Sequence, residues 1–81
     1  MSRSTPPDDR VLTRRRQVGA QIRHVRKEHE ISQRQLCELT GIDIASYSRI
    51  EQGHVSPRLD TLIRIADAIG VLLADLVAEP E

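Results

Sequence analysis

The sequence predicts an all-α domain of five short helices on the strength of three observations. Apolar residues recur at the three- and four-residue spacing of amphipathic helices, no segment alternates strictly as a half-buried strand does, and 81 residues suffice for one small domain. The chain contains no Phe, no Trp and a single Tyr, Tyr47. Its core must therefore be aliphatic, and base stacking on aromatic platforms, as in RRM-like or OB-like domains, is excluded.

The N-terminal segment differs in character from the rest of the chain. Residues 1–10 are polar, lack apolar periodicity and include two prolines, so we expect a short flexible arm there and a helical domain over residues 11–79. A first helix should begin between Asp9 and Arg14 and end near His29. Its apolar stripe comprises Val11, Val18, Ile22 and Val25.

A turn at Gly41 separates the second and third helices. Ser32 and Gln35 form the pattern of a capping box, which opens the second helix, and Gly41 can adopt the left-handed conformation that ends it. Asp43 is a good N-cap for the third helix, which Gly53 ends. The inward-pointing residues are expected to be Leu36 and Leu39 on the second helix and Tyr47 and Ile50 on the third.

The fourth and fifth helices follow the turn at Ser56-Pro57. Gly70 closes the fourth helix, and Pro80 follows the fifth. The expected inward side chains are Leu59, Leu62, Ile65, Ala66 and Ile69 on the fourth helix, with Leu73, Leu76 and Val77 on the fifth.

Charge is unevenly distributed, although 12 basic and 12 acidic residues cancel. Residues 1–29 carry a net charge of +5, residues 30–57 carry −2 and residues 58–81 carry −3. One basic surface can therefore coexist with zero overall charge. The single cysteine, Cys37, permits no intramolecular disulfide and suits a reducing cytosol. Without a targeting segment or an apolar run of membrane-spanning length, the chain is expected to be soluble and cytoplasmic.

No pattern indicates catalysis or metal binding. The three histidines lack the spacing of metal ligands, the glycines form no phosphate-binding loop, and no nucleophile, base and acid can be combined from their spacing. We therefore expect no metal, no cofactor and no enzymatic activity. A buried thiol that acts as a small hydrophobe is favoured over a redox role for Cys37.

The strongest functional signal runs from Ser32 to Gly53, where two short helices are joined by the turn at Gly41. This is the spacing of a helix-turn-helix, whose second helix lies in the major groove of DNA. On the outer side of that helix, the forked guanidinium of Arg49 suits a guanine edge and the apolar Ile44 suits a thymine methyl. Ile44 taken alone is equally well a tolerated surface residue.

Residues 18–76 resemble the phage repressor and Cro-type helix-turn-helix family, also called the xenobiotic response element (XRE) family. The matching motifs are Ile22-Arg23 followed by Arg26, Ile31-Ser32-Gln33 followed by Leu36, Thr40-Gly41-Ile42, Ser48-Arg49-Ile50-Glu51-Gln52-Gly53, Ser56-Pro57, Leu62, Ile65-Ala66 and Ile69-Gly70-Val71. Together they are highly specific. The resemblance implies a compact lambda-repressor-like fold that binds double-stranded DNA.

The resemblance also assigns roles to individual residues. It places base contacts on the third helix, backbone contacts at the start of the second helix and after the third, and an internal ion pair between the first and third helices. In this sequence the base-reading residues would be Ile44, Ala45, Ser46, Ser48 and Arg49, the backbone-binding residues Gln33, Arg34, His54 and Arg58, and the ion pair Arg26 with Glu51.

Three residues depart from the usual pattern of that family. Asp43 stands where Ser or Thr is usual, and its carboxylate would lie close to DNA phosphates. Glu30 occupies a helix-ending position usually held by Gly or Asn, at some cost in stability. Leu72 replaces the usual capping Ser of the last helix, and because the family often pairs through its C-terminal helices, Leu72 and Leu76 are expected in a homodimer interface.

The sequence thus favours a dimeric, sequence-specific transcriptional repressor that occupies an inverted-repeat operator. The alternative is a regulator governed by a protein partner, such as an antitoxin with its toxin, with Leu72 and the acidic C-terminal third as the contact surface. Two further alternatives concern basic residues. Arg49 could form a surface ion pair with Glu51 or Asp43. The basic cluster at residues 14–16 is equally consistent with a solvated helix start and with a contact to the minor groove.

Overall fold

Five α-helices make up the computed structural model, which describes residues 8–79 and has no strand in that range. The predicted all-α, five-helix architecture is confirmed. The helices are α1 (Asp9–Glu28), α2 (Gln33–Thr40), α3 (Ile44–Gln52), α4 (Leu59–Ile69) and α5 (Leu73–Val77). None of the five helices described for residues 8–79 could span a lipid bilayer. Most of the predicted flexible arm, residues 1–7, lies outside the described residues.

α1 begins at Asp9, the earliest of the starting positions predicted from the sequence. The Asp8 carboxylate accepts a hydrogen bond from the backbone N–H of Val11, with 2.9 Å between Oδ1 and N, and thereby caps the first turn. Asp9 contributes a negative charge that favours a helix N-terminus. Asp9 and Arg10 therefore lie in the helix and not in the arm.

One largely aliphatic core holds the helices together. α1 packs against α3 and α5, α2 packs against α3 and α4, and α4 packs against α5. The only aromatic side chain, Tyr47, is fully buried. The core residues are Ile22, Val25, Leu36, Cys37, Tyr47, Ile50, Ile65, Ala66, Ile69 and Leu76. Because α3 buries one side in this core, its opposite side is left at the surface.

α1 and α3 lie close together at Gly19. A Cβ atom at this position would lie 2.5 Å from the carbonyl oxygen of Ile50 and 2.6 Å from that of Glu51, which no side chain tolerates without a backbone shift. Glycine therefore allows the C-terminal end of α3 to lie directly on α1.

Two leucines that were predicted to point inward are exposed. Leu39 is 66% exposed because the buried side of α2 is formed by Leu36 and Cys37, and Leu39 lies about 160° around the helix from Cys37. Leu59 is 60% exposed because it is the first residue of α4 and lies at the edge of that helix's buried side. The prediction was wrong for both residues.

Leu76 is fully buried, at 0% exposure. It belongs to the core of its own chain, where α5 packs against α1 and α4. Its burial confirms the predicted inward position of Leu76 on α5, and Leu76 therefore cannot line the predicted dimer interface. Leu72, the other residue of that predicted interface, is 72% exposed and remains available.

Arg14 links α1 to the C-terminal end of α5. Its Nη1 donates to Gln17 Oε1 at 2.7 Å, and its Nη2 donates to the carbonyl oxygen of Val77 at 3.2 Å. Its Nε lies 3.7 Å from Glu79 Oε1. These contacts give Arg14 a role within the fold, where the sequence left open a solvated or DNA-contacting role.

Candidate nucleic-acid interface

Short-range hydrogen bonds define both ends of the unit formed by α2, the turn and α3. The predicted capping box is present, because Ser32 Oγ accepts from Gln35 N–H at 3.0 Å and Gln35 Oε1 accepts from Ser32 N–H at 2.8 Å. Gly41 ends α2 with a φ of 77°, in the left-handed region. Asp43 Oδ2 accepts from Ser46 N–H at 3.0 Å and caps α3.

α3 has one buried side and one solvent-facing side. Tyr47, Ile50 and Glu51 are buried. Of the predicted base-reading residues, four are exposed, namely Ile44, Ala45, Ser46 and Arg49. The fifth, Ser48, is half-buried, and its Oγ accepts a hydrogen bond from Gln52 Nε2 at 3.3 Å.

The Arg49 side chain is exposed and is not engaged in an ion pair with any residue in the range 8–79. Both acids considered as its partners are occupied elsewhere, because Asp43 caps α3 and Glu51 binds Arg26. The hydrogen bonds from Ser46 hold the pKa of Asp43 below its ordinary value, so this exposed carboxylate stays charged. The guanidinium of Arg49 is left free to meet a ligand.

A shallow groove of about 280 Å³ runs between α3 and the segment leading into α4. Ser46, Arg49 and Arg58 all line it, so the structure brings a predicted backbone-binding residue beside two predicted base-reading residues. Arg58 is exposed and its side chain makes no capping bond to α4. His54 and Arg34 are also exposed, at the end of α3 and the start of α2 respectively.

The structure brings Arg26 and Glu51 together in a buried ion pair that is joined by two hydrogen bonds. Arg26 Nε donates to Glu51 Oε2 at 2.7 Å, and Arg26 Nη2 donates to Glu51 Oε1 at 3.1 Å. The third nitrogen of the guanidinium, Nη1, donates to the carbonyl oxygen of Ile31 at 2.8 Å. One side chain of α1 thus fixes both the end of α3 and the loop that precedes α2.

Two further side chains donate hydrogen bonds to Glu51, and neither contact was predicted from the sequence. The Tyr47 hydroxyl donates to Oε2, and Gln33 Nε2 donates to Oε1 at 3.0 Å. Tyr47 and Glu51 are four residues apart on one helix, a spacing at which side chains meet, so that contact had a sequence signal. The Gln33 contact had none, because it depends on how α2 and α3 are oriented.

These contacts keep Glu51 ionised. Burial alone raises the pKa of Glu51, but hydrogen bonds from Arg26, Tyr47 and Gln33 outweigh it and hold the pKa below its ordinary value. The hydrogen bond to Glu51 raises the pKa of Arg26, and burial raises that of Tyr47. With its lone pairs satisfied in this way, the buried charge is compensated.

A helix-turn-helix family model matches residues 22–76, which include all of α2, α3 and α4. The chain is similar to the HTH-type transcriptional regulator PuuR of Escherichia coli (strain K12), with 35% identity over 63 residues, 78% of this chain and 34% of that protein. It is similar to the immunity repressor protein of Bacillus phage phi105, with 34% identity over 62 residues, 76% of this chain and 43% of that protein.

A further relative is the cryptic phage CTXphi transcriptional repressor RstR of Vibrio cholerae. The identity is 32% over 63 residues, which are 78% of this chain and 57% of that protein. In each of these three comparisons the match spans less than two thirds of the relative's length.

Proposed function

The chain belongs to the XRE-type helix-turn-helix family of DNA-binding transcriptional regulators, and we propose that it is a dimeric repressor that reads an inverted-repeat operator through α3. Two of the relatives described above are named as repressors, which supports repression over activation. In the proposed complex α3 lies in the major groove and α2 crosses the DNA backbone.

The solvent-facing side of α3 is the observation that carries the proposal. A surface helix of a monomeric domain ordinarily shows charged residues to water. The exposed side of α3 instead shows Ile44 at 50% exposure, the small residues Ala45 and Ser46, and the single unpaired charge of Arg49. An apolar surface with one guanidinium suits thymine methyl groups and a guanine edge.

Residues on both sides of α3 supply the proposed backbone contacts. Gln33 and Arg34 begin α2, where the free N–H groups of the first turn and the positive end of the helix dipole favour a phosphate. On the other side, His54 and Arg58 follow α3 and are exposed. Such contacts fix the register of the protein on DNA without selecting a sequence.

The dimer surface is proposed to include Leu72 with the exposed residues of α4. Leu59 and Ile63 are four residues apart and therefore neighbours on one side of α4, at 60% and 41% exposure. Leu72 is 72% exposed at the start of α5, the helix next in sequence. These side chains replace the buried Leu76 in the interface that we expect.

Selection of bound fragments from random-sequence DNA tests the proposed function directly. We expect enrichment of an inverted repeat whose half-site centres are about 34 Å apart, one helical turn, and a mass of two protomers per operator. Leu72→Glu combined with Ile63→Glu should give a folded monomer with weaker operator binding. Leu39→Glu, which alters another exposed leucine, on α2, should leave the dimer intact. Failure to enrich any sequence would refute the proposal.

A regulator that acts mainly through a protein partner is the second candidate, and the exposure of Leu72 beside an acidic C-terminal third favours it. The two candidate functions differ in whether a partner protein or a specific DNA sequence co-purifies with the chain. Co-purification of one stoichiometric protein whose release is caused by Leu72→Glu, with no enriched DNA sequence, would support this candidate against the first.

A further inference from the structure

Glu51 accepts hydrogen bonds from three parts of the chain. Oε2 accepts from Arg26 Nε of α1 and from the Tyr47 hydroxyl of α3, while Oε1 accepts from Arg26 Nη2 and from Gln33 Nε2 at the start of α2. Glu51 is buried and ionised, whereas Gln33 is only half-buried. The carboxylate therefore connects the interior of the protein to the surface that is proposed to meet DNA.

The chemistry of the contact fixes the orientation of the Gln33 amide. A carboxylate only accepts hydrogen bonds, so the group of Gln33 that faces Glu51 must be the NH₂ and not the carbonyl oxygen. That NH₂ has two hydrogens, and the contact with Glu51 uses one. The other hydrogen has no partner within residues 8–79, and Gln33 is the first residue of α2, where the backbone N–H groups of the first turn are free.

We propose that Glu51 is a positioning residue for DNA binding, one that holds the Gln33 side chain before DNA arrives in the conformation that binds a backbone phosphate. This inference rests on the proposed DNA-binding function. Four hydrogen bonds to one buried carboxylate restrict the motion of the Glu51 side chain. The bond from Gln33 Nε2 restricts the Gln33 side chain in turn. A side chain already held in its bound conformation loses less entropy on binding than a freely rotating one.

The claim that Glu51 holds the Gln33 side chain in the absence of DNA is tested on the full chain by NMR. We expect the Gln33 side-chain NH₂ proton that is bonded to Glu51 to exchange with water more slowly, by about tenfold or more, than the NH₂ protons of Gln35. Gln35 is a matched control on the same helix, because its oxygen accepts from Ser32 while its nitrogen has no hydrogen-bond partner within residues 8–79. Equal exchange of the two amides would overturn the proposal.

The DNA-bound half is tested with a random-sequence duplex, because a phosphate contact does not depend on sequence. Gln33→Ala should lower affinity about tenfold per protomer, the effect of losing one hydrogen bond to a charged group. Gln33→Asn should lower affinity about equally, because an amide one methylene shorter cannot bind Glu51 and the phosphate together. Thermal unfolding of both variants checks that they are folded.

The outcomes separate this inference from the proposed function. Full affinity in Gln33→Asn would overturn the positioning role, since an amide not held by Glu51 would then suffice. If the unaltered protein binds no duplex at all, the proposed function fails and the phosphate half of the inference fails with it. The exchange measurement would still report whether Glu51 holds Gln33.

Discussion

The guanidinium of Arg26 donates two hydrogen bonds to the carboxylate of Glu51 across the interface of α1 and α3, at 2.7 and 3.1 Å. Both residues are buried, at 6% and 7% exposure. The planar fork of arginine matches the two carboxylate oxygens, a geometry that lysine cannot reproduce. This pair fixes the C-terminal end of α3 and therefore the direction in which its exposed side faces.

Removal of Arg26 should strongly destabilise the fold. Arg26→Ala leaves the Glu51 carboxylate buried without its charged partner and should cost about 3 to 5 kcal/mol in the free energy of unfolding. The matched control is Arg23→Ala, an exposed arginine on α1, which should cost under about 0.5 kcal/mol. Urea denaturation measures both, and equal midpoint shifts would contradict the role given to the pair.

Acid should destabilise the protein through Glu51. Because its pKa in the folded state lies below the ordinary value of 4.5, the unfolded chain binds a proton first as the pH falls. The stabilisation is therefore fully present above about pH 4.5 and is lost as the pH falls through the lower folded-state pKa. Thermal melts from pH 7 to pH 2 test this. The loss should persist in Glu38→Gln, which removes an exposed carboxylate, and diminish in Glu51→Gln.

Gly19→Ala should destabilise the protein although alanine is the better helix former. In an isolated helix the change would gain about 1 kcal/mol. Here the new Cβ would lie 2.5 Å from the Ile50 carbonyl oxygen, which is backbone and cannot rotate away, so we expect a net loss of about 1 to 3 kcal/mol. Ala20→Gly, at the exposed neighbouring position, should lose only the helix propensity. A stabilised Gly19→Ala variant would show that α1 and α3 are farther apart.

Glu30→Gly should stabilise the protein. Glu30 is the only non-glycine residue with positive φ within residues 8–79, at 56°, where a Cβ is unfavourable. Replacement by glycine removes that strain, and after its greater loss of backbone entropy a gain of about 0.5 to 1 kcal/mol should remain. Glu28→Gly, at the last residue of α1, should instead destabilise the protein, by up to about 1 kcal/mol. Differential scanning calorimetry compares the two, and destabilisation by both would refute the strain.

Arg49→Ala should change the sequence preference of DNA binding. If Arg49 binds a guanine edge with two hydrogen bonds, its loss should cost about 1 to 3 kcal/mol on the selected operator and relax one position of each half-site. Arg64→Ala, an exposed arginine on α4, should leave preferences unchanged. Binding to a panel of single-base operator changes decides this. Intact preferences in Arg49→Ala would mean that the exposed side of α3 does not read that base pair.

Local signals predicted the elements of this fold and most of the candidate interface. Each helix end depends on contacts between residues only a few positions apart, so it could be located without knowledge of the rest of the molecule. Examples are the Ser32–Gln35 capping box, the end of α2 at Gly41 and the Asp43 cap. The strained conformation of Glu30 was indicated by the resemblance to the family, which usually has Gly or Asn at that position. The resemblance to the family supplied the partner of Arg26.

The sequence by itself determined where the helices begin and end, because capping bonds and apolar periodicity are short-range properties of consecutive residues. Apolar periodicity also indicated most of the buried side of each helix, but only the tertiary structure decided which apolar residues at the edges of those sides are covered. Leu39 and Leu76 were both predicted to point inward, but the neighbouring helices cover Leu76 and leave Leu39 exposed. The contact between Gln33 and Glu51 arises in the same way, since 18 residues separate them and only the packing of α2 against α3 brings them to 3.0 Å.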